Sequence, residues 1–157
     1  MATENKNLSQ YDKKIIPNAE SLRFGIITSQ WNEQVTYGMR NGAIETLKDC
    51  GAIDDNILLW EVPGSFELVH AAKRMLDTSE VDAISVIQGE TRHFDFVCQG
   101  VTQGIAQLNA EQSKVPIIFC VLTDNTFQQS LDRSGGKLGN KGVEAAITAI
   151  KMAVLGK

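Results

Sequence analysis

What the chain has little of narrows it first. Of 157 residues, two are histidine and three are cysteine. Cys50, Cys98 and Cys120 make an odd count with no CxxC spacing, and each sits in an apolar stretch. They read as reduced, buried thiols rather than a disulfide framework or a redox pair. No cluster of His, Cys and carboxylate has metal-ligand spacing, so no metal is expected. Fifteen Lys and Arg against nineteen Asp and Glu leave a net charge of −4, which excludes the basic face that a nucleic-acid backbone needs. No apolar run approaches the roughly 20 residues of a membrane span. The polar start, Met1 to Lys14, lacks the apolar core of a secretory signal. The expectation is a cytoplasmic protein with neither nucleic acid nor membrane as partner. No Walker pattern or GxGxxG follows the first strand-like run, so nucleotide binding by those modes is unsupported.

What is present is an alternation. Met1 to Pro17 reads as an arm, with residues 18–157 as one α/β domain. Arg23 to Thr28 is a first strand, followed by a helix opened by Asn32 and carrying Val35, Met39, Ala43 and Leu47 on one face. Asn56 to Val62 is a second strand. Ser65 is expected to cap the helix after it, with Leu68, Ala72, Met75 and Leu76 inward. Ala83 to Ile87 is a third strand, and Val97, Val101, Ile105 and Leu108 then recur at helical spacing. Val115 to Leu122 is an apolar fourth strand. Thr126 opens a short helix, Gly135 to Gly139 is a tight glycine-rich connection, and Asn140 caps a last helix with Val143, Ile147, Ile150 and Val154 inward. Such βα alternation implies a parallel sheet with helices on both faces, and ligands then bind beyond the carboxyl ends of the strands.

That rim collects chemistry. Trp31 follows strand one and can stack on a flat ring or staple its own loop. Ser65, Phe66 and Glu67 follow strand two. Taken alone, Ser65 reads as a cap and Glu67 as a complement to the helix dipole. Gly89 to His93 follows strand three, and His93 is the best-placed general acid/base, because imidazole exchanges a proton near neutrality. His70, on a helix, reads as structural. The stretch from Arg133 to Lys141 holds three cations and no acid. Lys141 would stand at the positive end of the last helix, a conflict that a bound anion relieves. A solvated loop is the alternative. Composition and pattern thus reach an α/β enzyme that binds a planar polar ligand and a phosphate-like anion.

Three motifs carry a resemblance. Pro63-Gly64-Ser65-Phe66-Glu67, Gly89-Glu90-Thr91-Arg92-His93-Phe94-Asp95 and Arg133-Ser134-Gly135-Gly136-Lys137-Leu138-Gly139-Asn140-Lys141-Gly142 resemble the signatures of the 6,7-dimethyl-8-ribityllumazine synthase family, in its order and spacing. The resemblance implies a flavodoxin-like three-layer sandwich with a four-stranded parallel sheet. It implies condensation of 5-amino-6-(D-ribitylamino)uracil with 3,4-dihydroxy-2-butanone 4-phosphate, the penultimate step of riboflavin synthesis, without a cofactor. It also implies pentamers with each site between neighbours. The short turn from Gly135 to Asn140 resembles members that build sixty-subunit shells, and riboflavin synthase is an implied partner.

Residue by residue, the resemblance makes His93 catalytic. It places Trp31, Ser65, Phe66, Glu67, the strand end Ser85, Val86 and Ile87, and Phe119 of the adjacent subunit on the ribitylaminouracil. It places Glu90, Thr91, Arg133 and Lys141 by the butanone phosphate. Glu90 stands where a small residue is common. A carboxylate would repel phosphate, so Glu90 is expected to turn away, paired with Arg92, and to offer only its N–H. Leu138 also departs from the usual residue. Competing readings are a non-catalytic flavin- or pterin-binding module and a shell protein whose basic loop serves assembly. A signalling receiver domain lacks its clustered acids and phosphoacceptor here.

Overall fold

The computed structural model of the chain describes residues 7, 9–89, 94–112 and 114–157. Four strands, β1 (Phe24–Ser29), β2 (Ile57–Val62), β3 (Ala83–Gln88) and β4 (Ile117–Val121), form a parallel sheet in the order β2-β1-β3-β4. Helices α1 (Glu33–Asp49), α2 (Glu67–Thr78), α3 (Phe94–Glu111), α4 (Phe127–Arg133) and α5 (Lys141–Ala153) connect and follow them. This is the three-layer α/β architecture expected.

Strand alternation assigns the layers. Phe24 and Ile26 of β1 and Ile87 of β3 join Val35, Met39 and Leu47 of α1 and Ala146 and Ile150 of α5 in one core. Ile27, Ile84 and Val86, one position out of phase, join Leu68 and Met75 of α2 and Val101 and Ile105 of α3 on the other side. Every residue of β1 and β3 is buried, as a central parallel strand requires. The edge strand β2 leaves Leu58 and Leu59 exposed.

Three local expectations are corrected and one is made more specific. Asn32 stands at the N-cap position of α1 but in the left-handed region (φ 61°), and its side chain makes no cap hydrogen bond; asparagine tolerates this conformation better than most residues. Ser65 does not cap α2 by its side chain. Its carbonyl accepts from Leu68 N at 3.2 Å, and Phe66, already helical, holds the N-cap position. The glycine-rich connection is a small antiparallel hairpin, β5 (Ser134–Gly136) with β6 (Gly139–Asn140). In α5 the inward face is Ala145, Ala146, Ala149, Ile150 and Ala153, while Val143 and Ile147 are half-buried shoulders. The cause is closeness: a Cβ on Gly142 would collide with the carbonyl of Met39, so α5 lies so near α1 that only small side chains fit between them.

Two caps agree with expectation. Asn140 Oδ1 accepts from Gly142 N at 2.8 Å. Thr126 and Gln129 form a reciprocal capping box at the start of α4. The described part of the arm lies on its own chain. Tyr11 donates its hydroxyl to Asp49 at 2.9 Å, Lys13 pairs with the same carboxylate at 3.0 Å, and Tyr11 and Ile16 pack against the α1–α5 core.

Candidate functional site

The strand ends build one half of the site. The β1 exit is tied to the β2 end: Gln30 N donates to Val62 O at 2.8 Å, and Gln30 Nε2 reaches Glu61 at 3.2 Å. Arg40 of α1, stacked over Tyr37, closes the same carboxylate at 2.7 Å. These donors hold the Glu61 carboxyl below its usual range, the Gln30 hydrogen bond contributing most. From this braced turn Trp31 projects with 61% of its surface exposed. A ring used as a staple for its own loop would be covered more fully than this.

At the β2 exit, Ser65 is buried and Phe66 is 66% exposed. The Phe66 ring lies against Gly100 of α3, where an added Cβ would come within 3.0 Å of it. The Glu67 carboxylate folds back over Gly64, whose missing side chain leaves it room: a Cβ there would sit 2.9 Å from Oε2. Phe66, Glu67 and the exposed His70 share a groove of about 600 Å³ between α2 and α3. Ser85, Val86 and Ile87 lie inside β3, between β1 and β4, with their side chains buried. Their backbone is paired with both neighbouring strands, and β3 ends one residue later at Gln88. Glu90, Thr91, Arg92 and His93 lie outside the described residues.

The other half stands at the opposite edge. Phe119, half-buried on β4, and Lys141, at the start of α5, line a cleft of about 650 Å³ together with Glu144. Arg133 is 6% exposed and donates to Glu144 Oε1 at 2.6 Å and to Leu138 O at 3.0 Å. Lys141 Nζ stands 3.9 Å from the other oxygen of Glu144. Lys137 pairs with Asp132 at 3.1 Å, and Gln128 and Lys137 together hold that carboxyl below its usual range. The acids missing from the Arg133–Lys141 stretch are therefore supplied from its two flanks. Asp124, after β4, is pushed up by burial, although Ser130, Arg133 and Lys141 act against the shift.

Glu144 is the residue the sequence reading passed over. Its signal was an acid in the first turn of α5, three positions after Lys141, but nothing local tied it to Arg133 eleven residues earlier. None of Trp31, Ser65, Phe66 and Glu67 lines the cleft that Phe119 and Lys141 share. Trp31, Ser65, Phe66 and Glu67 follow β1 and β2, whereas Phe119 lies on β4 and Lys141 starts α5. Among the described residues, no group of three or more His, Cys, Asp or Glu could hold a metal ion, and no helix is long and apolar enough to cross a membrane.

Comparison with known proteins places this geometry in context. The family model described as 6,7-dimethyl-8-ribityllumazine synthase matches residues 21–157. A protein of that name from Flavobacterium johnsoniae is 63% identical over 159 aligned residues, covering 99% of this chain and 83% of the relative. One from Christiangramia forsetii is 59% identical, covering 100% and 96%. Another, from Phocaeicola vulgatus, is 55% identical, covering 97% and 92%.

Proposed function

The chain belongs to the 6,7-dimethyl-8-ribityllumazine synthase family, and on that premise we propose how its residues divide the reaction between two copies of the chain. It is a transferase of riboflavin biosynthesis, condensing 5-amino-6-(D-ribitylamino)uracil with 3,4-dihydroxy-2-butanone 4-phosphate. The non-catalytic readings are not favoured, since relatives matched over nearly the full chain carry the enzyme's name.

In this reading Trp31 and Phe66 present the planes that hold the pyrimidine. Ser65 and Glu67 offer polar groups to the ribityl chain, and the β3 end from Ser85 through Ile87 offers backbone. Phe119 closes the ring from the neighbouring subunit. Arg133 and Lys141 hold the phosphate, with Glu90 and Thr91 beside it. Arg133 suits this role because a guanidinium grips phosphate as a fork, and Glu144 and Leu138 fix that fork before the ligand arrives. His93 moves the protons as the amine adds to the ketone and water leaves, phosphate is eliminated, and the ribitylamino nitrogen closes the ring with loss of a second water. Holding two substrates together supplies much of the remaining acceleration.

The observation that carries the reading is that Trp31 and Phe66 stand exposed past β1 and β2, while Phe119 and Lys141 line a cleft at the β4 edge beside the Arg133–Glu144 pair. A second copy brings the missing half, which calls for a ring such as a pentamer. Assembly into a sixty-subunit shell, association with riboflavin synthase and a cytoplasmic location belong to the same proposal. Purified protein mixed with both substrates should yield a fluorescent lumazine and free phosphate at equal rates. Fluorescence without phosphate, or neither, would refute it.

A further inference from the structure

One contact joins the arm to the phosphate half of the site and has no part in the division of roles above. Ser9 Oγ donates to Asn140 O at 3.1 Å and also accepts from Asn140 N. A single hydroxyl thus holds both backbone polar groups of one residue that is 131 positions away. Asn7 shapes the approach, its Oδ1 accepting from Ser9 N at 2.9 Å. Gly139, at φ +92°, has no space for a Cβ because Ser9 and Asn7 occupy it.

Asn140 is a junction. Its Nδ2 donates to Gly38 O of α1 at 2.9 Å, its Oδ1 caps α5, and its backbone pairs across the hairpin with Ser134. Two residues before it, Leu138 gives its carbonyl to Arg133 and its N–H to Asp132 O at 2.9 Å. The hairpin is built of two very short, glycine-rich strands, so its own ladder does little to fix it. External contacts must hold the position of the Leu138 carbonyl.

We propose that Ser9 is a positioning residue for the phosphate-bearing substrate: by pinning Asn140 it fixes the hairpin carbonyl that orients the Arg133 guanidinium. This rests on the reading of Arg133 as the phosphate contact. Ser9 touches no substrate and acts through the hairpin.

The test compares full-length Ser9→Ala, Ser9→Thr and Arg133→Ala with the parent, after sedimentation shows equal assembly. Calorimetry with inorganic phosphate at fixed ionic strength is read beside the KM of each substrate. In Ser9→Ala, phosphate Kd and the KM for the butanone phosphate should rise about three- to tenfold, what one ordinary hydrogen bond is worth. The KM for the uracil and kcat should stay within about twofold, since Arg133 itself remains to hold the anion once the substrate is bound. Ser9→Thr keeps the hydroxyl and should restore both constants. Phosphate binding lost in Arg133→Ala but unchanged in Ser9→Ala overturns the strap and leaves the Arg133 assignment standing. Phosphate binding unchanged in Arg133→Ala overturns that assignment and the strap with it. A kcat that falls as much as binding weakens also overturns it, because that marks a general loss of structure.

Discussion

Replacing Trp31 by alanine separates a binding surface from a packing element. The ring is 61% exposed in the free chain, so its removal uncovers little apolar surface. A wholly buried large side chain stabilises by roughly 1.5–3 kcal/mol, and less than half of the ring's surface is covered, so the cost should stay near ~1 kcal/mol. In a chain of this length that is a fall in Tm of about 2–4 °C. Binding should respond differently. Stacking of a base on an aromatic side chain is worth about 1–3 kcal/mol, which is roughly 5- to 150-fold in Kd for the uracil substrate. The assay is calorimetric titration with 5-amino-6-(D-ribitylamino)uracil, because Trp60 on β2 complicates a fluorescence reading. Trp31→Phe should keep most of the affinity. A Kd unchanged in Trp31→Ala, or a Tm loss several times larger with binding intact, refutes the stacking role and returns the ring to loop packing.

Other outcomes follow from the same structure. His93→Ala should lower kcat by about 10²–10⁴ at most while shifting the two KM values little, as steady-state kinetics would show, since a lost proton carrier leaves both binding halves in place. Thr126→Ala breaks the capping box that starts α4, and should cost about 1 kcal/mol in denaturant titration with the uracil KM unchanged. Burial pushes the Cys120 thiol up to about 12, and Cys50 is raised for the same reason. The native protein should therefore leave these thiols unmodified by a thiolate-selective reagent at pH 8, and all should react in denaturant; rapid native modification of Cys120 would contradict its burial.

Much of the fold was legible because its signals are local. The apolar runs of β1, β3 and β4 and the helical spacing of α1 to α3 needed no tertiary knowledge. The face of α5 was not legible: alanine carries little periodic signal, and its burial follows from how closely α1 approaches. The β5–β6 hairpin escaped because strands of three and two residues, mostly glycine, have no hydrophobic pattern. The rim position of Trp31 could be read because a large ring just after a strand stands out, whereas Phe66, at the start of α2, drew notice chiefly through the Pro63–Glu67 motif. The pairing of Arg133 with Glu144, and of Ser9 with Asn140, could not, since each joins residues that only the folded chain brings together.

The claim that two copies complete each site can be tested by complementation. His93→Ala and Arg133→Ala subunits, each nearly inactive alone, are unfolded, mixed in equal amounts and refolded together. In a ring whose sites take His93 from one chain and Arg133 from the next, random mixing leaves about one site in four with both residues intact. Lumazine formation should then recover to roughly a quarter of the parent rate per subunit. Mixed assemblies no more active than the separate variants would place both residues in one chain and contradict the shared site.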